Sequence, residues 1–340
     1  MTAAEPAGRP AAGPGVEVGA GLEVAVDVQT DLDAPSVAAI RGLLADASAI
    51  DGVGAVDEAG QLALGHSDAG VDHLTVRGID GRLAGYAQLN RTLGHPEVSL
   101  VVAPAHRRRG LGTALLRCTV ERAHSPVDGV SAVAGVAGGL DRLLGWAHGT
   151  TDGARALAAA AAFEPVRELL HLGRGLNDLP PTPDPPVGVA LRTFAPSDAD
   201  DWVAVNAAAF ADHPEQGRWT EDDLAARMAE PWFNPDDFLV AERGGELVGY
   251  HWTKLDPTEP EVGEVYVLGI SPGAQGGGLG RVLLLAGLHH LADSGRRRVA
   301  LYVEADNAAA RRLYQRYGFS RLAVDTQFAE AAAGWPVTAG

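Results

Sequence analysis

Two apolar-rich, strand-like runs lie along "DFLVAERGGELVGYHWTK", Asp237 to Lys254, and polar residues and Gly244-Gly245 separate them. That pattern predicts two strands joined by a tight hairpin. "HLTVRGIDGRLAGYAQLNR", His73 to Arg91, repeats it around Asp80-Gly81, a dipeptide suited to a two-residue turn. Each hairpin is followed by a second shared pattern. "EVYVLGISPGAQGGGLGRVLLLAGLHHLA" and "EVSLVVAPAHRRRGLGTALLRCTVERA" both read as an apolar strand, a proline, a glycine-rich loop and an amphipathic helix. A third pair, "RVALYVEADNAAARRLYQRYGF" and "LLGWAHGTTDGARALAAAAAF", reads as a strand, a short polar loop and a helix that ends near Phe319 or Phe163. The chain is therefore expected to be a duplication. Hairpins mixed with strand–helix units imply an α/β (mixed α+β) fold, with a central mixed sheet flanked by helices in each copy.

"LNDLPPTPDPPVG", Leu176 to Gly188, carries five prolines, which makes a stiff, extended connector. It predicts a first domain over 22–175, a linker over 176–188 and a second domain over 189–330. The Ala-, Gly- and Pro-rich start, 1–21, and the end, 331–340, are expected to be tails, the first of them disordered. Residues 124–144 look like an insertion in the first copy.

The chain has 340 residues, a formal charge of -17 and one cysteine. That acidity disfavours nucleic acid as a partner, because phosphate contacts would have to overcome the global field. Any anion site must be local. Cys118 cannot form an intramolecular disulfide, which suits a reducing, cytoplasmic compartment; inside "TALLRCTVERA" it reads as a small buried hydrophobe. No stretch reads as a membrane span or signal peptide. His289 and His290 diverge by about 100° on a helix, so they make poor joint ligands; they read as a solvated face and no metal is expected. Trp219, Trp232 and Trp252 read as packing. A monomer is expected.

A glycine-rich loop between a strand and a helix is an anion site, because the first-turn amides lack partners and the helix dipole adds positive potential. Neither copy has the Gly-Lys-Ser/Thr of a Walker loop, and Lys254 is the chain's only lysine. Gln/Arg-x-x-Gly-x-Gly occurs at matching places in both copies.

"QGGGLG" and "RRRGLG" resemble the pyrophosphate loop of the GNAT N-acetyltransferases, which use acetyl-CoA. "NAAARRLYQRYGF" resembles that superfamily's closing motif. The tandem arrangement, with "NAAAFADHPEQGRWT", "YHWTK", "GEVYVLGI" and "LYVEADN", is similar to the mycothiol-forming branch, whose members acetylate the cysteinyl amine of a cysteine–glucosamine–inositol conjugate. The resemblance covers about Leu22 to Phe328 and implies two tandem GNAT domains. The fold alone does not fix the acceptor, so another amine (an aminoglycoside or a protein N-terminus) and a non-catalytic acyl-CoA sensor stay open.

In the second copy the resemblance implies acetyl-CoA contacts at Leu268, Gly269 and Ile270, then at Gln275, Gly276, Gly277, Gly278, Leu279, Gly280 and Arg281. Asn307, Ala308, Ala309, Ala310, Arg311 and Arg312 follow on the next loop and helix. In the first copy the corresponding residues are Leu100, Val101 and Val102, with Arg107, Arg108, Arg109, Gly110, Leu111 and Gly112. Glu58, Glu215, Lys254, Glu264 and Tyr302 correspond to positions that contact the small thiol amine substrate.

Acetyl transfer needs a base for the ammonium and an acid for the departing thiolate. Glu264 is the candidate base and Tyr314 the candidate acid. Aligned on Pro272 and Pro104, Glu264 faces Pro96, Tyr314 faces Ala158, Asn307 faces Thr151 and Lys254 faces Asn90. The second copy is therefore expected to be catalytic, and the first a copy that still holds CoA.

Overall fold

The two strands of each hairpin read from the sequence pair antiparallel. The computed structural model describes residues 15–18, 22–65, 70–92, 95–125, 142–211, 213, 216–257 and 259–332. They group into two units. One comprises the chain up to Glu168 together with Val324 onward; the other is Leu169–Ala323.

In unit 1 the elements run β1 (Gly15–Val18), β2 (Leu22–Gln29), α1 (Ala34–Asp51), α2 (Glu58–Ala63), β3 (Val71–Arg77), β4 (Leu83–Asn90), β5 (Glu97–Val102), α3 (Leu111–Ala123), β6 (Leu144–Ala147), α4 (Asp152–Ala160) and the start of β7 (Phe163–Gly175). Neighbours from β1 through β5 pair antiparallel, and β5 pairs parallel to β6. The sheet is closed by the end of β13 (Ser320–Glu330), antiparallel to β6. Ile40, Leu43 and Leu44 of α1 pack with Tyr86 and Val101. Leu111, Ala114 and Leu115 of α3, with Ala158 of α4, pack with Ala87, Leu89 and Val98.

Unit 2 repeats this plan with β8 (Val189–Thr193), α5 (Ala199–Ala209), α6 (Glu221–Met228), β9 (Phe238–Arg243), β10 (Glu246–Lys254), β11 (Val262–Ile270), α7 (Leu279–Asp293), β12 (Arg298–Glu304) and α8 (Ala308–Arg316). β8, β9, β10 and β11 pair antiparallel in turn, β11 pairs parallel to β12, and the end of β7 closes the sheet against β12. Trp202 and Leu224 cover one region of the sheet with Phe238, Tyr250 and Trp252, while Leu279 and Leu283 pack with Ala241 elsewhere. The mixed fold read from the sequence is the fold observed.

Three features differ from expectation. The chain changes unit within β7, so the proline-rich run 176–188 lies inside unit 2. Gly15–Val18, expected in the disordered tail, forms β1, antiparallel to β2. Phe163 and Phe319 belong to the turn into the last strand rather than to a helix end: Phe163 opens β7, and Phe319 directly precedes β13. The rest of the expected N-terminal tail, most of the expected C-terminal tail and 126–141 of the expected insertion lie outside the described residues.

Candidate functional site

In unit 2 a one-turn helix at Pro272–Ala274 follows β11, and Gln275 donates from Nε2 to the Ile270 carbonyl, 3.1 Å away, folding the loop back on its strand. Gly276 and Gly278 have φ of 80° and 86°, values that a side-chain-bearing residue adopts only with strain. Gly278 caps α7 and supplies no side chain to its amides; the Arg281 amide bonds the Gly278 carbonyl at 3.2 Å, and no side chain caps the amides ahead of it. A Cβ added to Gly276 or Gly277 would meet nothing within 4 Å. Gly280 fits differently: its Cβ would lie 3.0 Å from Ile270 Cδ1, so the helix start sits tight on the strand. An open cradle of bare amides at a helix N-terminus suits a pyrophosphate.

The strand beside the cradle is equally exposed on its main chain. β11 pairs with β12 only through Val262, Gly263 and Glu264. Beyond Glu264 the β11–β12 register ends, although both strands continue. The side chains of Leu268 and Ile270 pack towards Leu283, which leaves main-chain groups for a ligand. Gly269 is pressed on Tyr250, with 2.6 Å from its built Cβ to the ring; a side chain there would displace the strand.

Glu264 is the last residue before β11 parts from β12. It lies opposite Lys254 on β10 and Ala300 on β12. Burial pushes its carboxyl up to about 7, Lys254 opposes the shift, and Asp256 and Glu259 add to it. The Lys254 ammonium lies 4.8 Å from the Trp232 ring centre and 5.7 Å from that of Tyr266. Tyr314, on α8, is 6% exposed and burial raises its phenol to about 12; its ring lies 5.4 Å from Phe319. Asn307 caps α8 by accepting from the Ala310 amide at 3.0 Å. Tyr302 is half exposed and stacks on His171 at 4.5 Å. The side chain of Glu58 and all of Glu215 lie outside the described residues.

Unit 1 has the same loop with other side chains. Arg107 donates from Nε to Val102, as Gln275 does to Ile270, and its fork grips Asp51 with two bonds of 2.7 Å. Arg108 holds φ of 60° where Gly276 stands in unit 2, and Gly110 caps α3 at φ 82°. β5 and β6 also part early, after Val98.

The sheet register corrects one inference from the aligned copies. Across β4 and β5 the pairing runs without interruption from Gly85↔Val102 to Asn90↔Glu97. Across β10 and β11 it runs from Gly249↔Ile270 to Lys254↔Glu264, with one extra residue, Tyr266, between the pairs Trp252↔Val267 and Thr253↔Val265. The counterpart of Glu264 is therefore Glu97, not Pro96. A one-residue gap would have aligned the shared Glu-Val dipeptide of "EVYVLGI" and "EVSLVV". Lys254 still faces Asn90 and Tyr314 still faces Ala158, and Asn307 and Thr151 cap corresponding helices.

The sequence profile of the acetyltransferase (GNAT) family matches residues 51–138 and 202–319. The chain belongs to that family. Its GNAT relatives include a protein from Parafrankia sp. named mycothiol acetyltransferase, 44% identical over 89% of this chain and 97% of its own length. Another of that name, from Thermomonospora curvata, is 46% identical over 86% of this chain and 93% of its own. Among solved structures, a GCN5-related N-acetyltransferase from Sphaerobacter thermophilus superposes with a TM-score of 0.66 at 23% identity, covering 89% of this chain and 95% of its own. A tandem GNAT protein from the clavulanic acid pathway gives 0.64 at 20% identity, with 89% and 98% covered. These two likenesses show the GNAT fold, in tandem in the second.

Other GNAT-site features had no signal in the sequence. The bulge at Tyr266 interrupts no periodicity. His213, whose Nδ1 accepts from the Gln216 amide, lies 3.6 Å from Glu304. His290, read as solvated, bonds Asp237 at 2.6 Å, and His289 bonds the Pro180 carbonyl at 3.0 Å. Cys118 is buried and the three tryptophans pack, as expected. Among the described residues no helix is long and apolar enough to cross a membrane, and no group of three ligating side chains could hold a metal ion.

Proposed function

We infer that this acetyl-CoA-dependent N-acetyltransferase forms mycothiol, transferring acetyl to the cysteinyl amine of a cysteine–glucosamine–inositol conjugate and releasing CoA. The observation that carries the reading is Glu264, facing the lone lysine at the point where β11 leaves β12, in a chain about 45% identical to mycothiol acetyltransferases over nearly its whole length.

Acetyl-CoA supplies the acetyl group and an anionic handle. The amides of Gly276 to Gly280 take the pyrophosphate, and the free edge of β11 at Leu268 to Ile270 takes the pantetheine arm. Gln275 and Arg281 flank the loop, and Asn307 to Arg312 line the far side. Glu264 accepts the proton of the acceptor ammonium, directly or through a water. A carboxyl near neutrality suits that role, since it is ionised in part at pH 7 yet basic enough to take a proton. The C–N bond forms as the C–S bond breaks, and Tyr314, still a phenol at neutral pH, protonates the leaving thiolate. Glu58, Glu215, Lys254, Glu264 and Tyr302 contact the acceptor; a polyol amine is held by carboxylates and hydrogen-bonding groups.

Unit 1 holds CoA at Arg107 to Gly112, beside Leu100 to Val102, and does no chemistry. It lacks Lys254, Tyr314 and the bulge, although Glu97 is retained. The enzyme acts in the cytoplasm as a monomer. The test is a panel at fixed acetyl-CoA: the conjugate, free cysteine, glucosamine, an aminoglycoside and a short peptide. The conjugate is expected to lead in kcat/KM by orders of magnitude. A lead for the aminoglycoside or the peptide refutes the acceptor while leaving the acetyl transfer intact.

A further inference from the structure

Lys254 is the chain's only lysine, in a protein of formal charge -17. It stands directly opposite Glu264 in the β10–β11 ladder. Residues paired in this way share a face of the sheet, with their Cβ atoms about 5 Å apart. An ammonium and a carboxylate so placed have the reach to touch. They do not: among the described residues neither side chain takes part in an ion pair or a hydrogen bond. The ammonium lies instead over two rings, 4.8 Å from the centre of Trp232 and 5.7 Å from that of Tyr266.

The nearer ring is braced. Trp232 lies in the segment between α6 and β9, edge-on to Tyr266 at 5.1 Å and tilted against Trp252 at 5.8 Å. Trp252 is fully buried, and Phe233 packs on it edge-on. Of the aromatic faces, indole seats a cation best. It holds the charge without neutralising it. The ammonium therefore stays near enough to oppose the upward shift of Glu264, yet out of contact with it. Contact with a cation lowers a carboxyl by about 1–3 pH units, and a carboxyl so lowered is a weaker base at neutral pH. Unit 1 has Asn90 opposite Glu97 and no ammonium to seat.

We propose that Trp232 is a positioning residue of the transfer reaction: its ring seats the Lys254 ammonium and so keeps it from closing an ion pair with Glu264. This rests on the reading of Glu264 as the base. Trp232 touches no reacting atom in it. The seat also leaves the N–H donors of Lys254 to the acceptor.

The variants are Trp232→Leu, Trp232→Met, Trp232→Phe, Lys254→Met, and the leucine and methionine changes at Trp232 each combined with Lys254→Met. Trp232→Met fills more of the vacated space than leucine, so it carries the test should Trp232→Leu fold poorly. The Glu264 carboxyl is titrated by infrared difference, each variant against the same variant with Glu264→Gln. The acid limb of kcat/KM is followed with acetyl-CoA and the conjugate. The charged groups facing that carboxyl are Lys254 on β10 and Asp256 and Glu259 on the segment before β11. β12 brings the uncharged Ala300, and α5 and α7, the helices packed on β11, add no charge that acts on it. Without the ring, in Trp232→Leu or Trp232→Met, the midpoint should fall by about one pH unit as the ammonium closes on the carboxylate. Trp232→Phe keeps a ring and should stay nearer the parent. Lys254→Met should raise the midpoint, and either Trp232 change added to it should move the midpoint no further. A site merely loosened and wetted would also show a fall, but with or without the lysine. The infrared midpoint needs neither acceptor nor turnover, so it is read whichever amine proves to be the substrate. A kinetic limb that fails to follow it refutes the reading of Glu264 rather than the seating of Lys254. A parental midpoint in the ringless variants, or a fall of the same size with and without Lys254, overturns the proposal.

Discussion

Replacing Glu264 by glutamine should make the protein slower and more stable at once, and the two effects should share a pH dependence. The carboxyl lies near 7 in the folded chain against an ordinary value of 4.5. A carboxyl raised on folding costs nothing below its unfolded value. The cost grows as pH climbs from 4.5 and is complete above about 7. Two and a half pH units separate the two values, and at 1.36 kcal/mol each they set a ceiling of about 3 kcal/mol at pH 8. Residual exposure of the side chain lowers that figure. Glu264→Gln should therefore melt higher than the parent at pH 8 and nearly level with it at pH 4.5, by scanning calorimetry at both. The rate moves the other way. Only the ionised carboxylate accepts a proton, so parental kcat/KM should rise about tenfold between pH 6 and pH 8 and flatten beyond. In Glu264→Gln turnover should fall by about 10²–10⁴ and that acid limb should vanish. A limb near pH 7 that survives in Glu264→Gln assigns the titration to another group. Equal melting temperatures at pH 8 would mean that the carboxyl is not held in a poorly solvated position.

Tyr314→Phe should lower kcat by about 10–10² with little change in the KM for acetyl-CoA, because a phenol raised to about 12 by burial is a proton donor throughout the neutral range; an unchanged kcat removes it from the reaction. Gly278→Val should sharply raise the KM for acetyl-CoA and also lower the melting temperature, since φ is 86° there. Gly273→Ala, with ordinary φ and open space and outside the cradle, is the control and should match the parent. In unit 1 the Asp325 carboxylate, 3.0 Å away, holds the His148 imidazole above its ordinary 6.5. Its stabilisation should be complete below pH 6.5 and fade as pH rises through the raised value. The melting gap between the parent and His148→Gln should therefore narrow from pH 5.5 to pH 8.5; a gap independent of pH refutes the ion pair.

The duplicated plan was legible because it is written in local pattern: two strand-like runs around a tight turn for each hairpin, a glycine-rich loop after the next strand and a helical stripe after that. Glu264, Lys254 and Tyr314 were legible because side-chain type and spacing carry their chemistry. The bulge was not. One inserted residue leaves alternation by sequence intact on both sides and changes only the pairing, which depends on the opposite strand. Aligning the copies on their prolines therefore carried the register past Tyr266 and set Glu264 against Pro96. The part of Trp232 was hidden for a related reason. It reads as packing in "PWFN", and only the tertiary fold lays its ring under Lys254. The change of unit inside β7 was masked by the proline run, the stronger local signal for a boundary.

That change of unit gives the two halves different histories during synthesis. Unit 2 is one unbroken stretch, Leu169–Ala323, complete once its last residue leaves the ribosome. Unit 1 is not, because its sheet waits for Val324 onward, the end of the chain. Until then β6, the strand that pairs with the end of β13 through Thr326 to Ala329, shows an open edge, and open strand edges invite pairing with other chains. The half made first is therefore finished last. Loss of the end of β13 would injure the half whose coding sequence lies farthest from it, because unit 2 is a contiguous stretch whereas unit 1 is not.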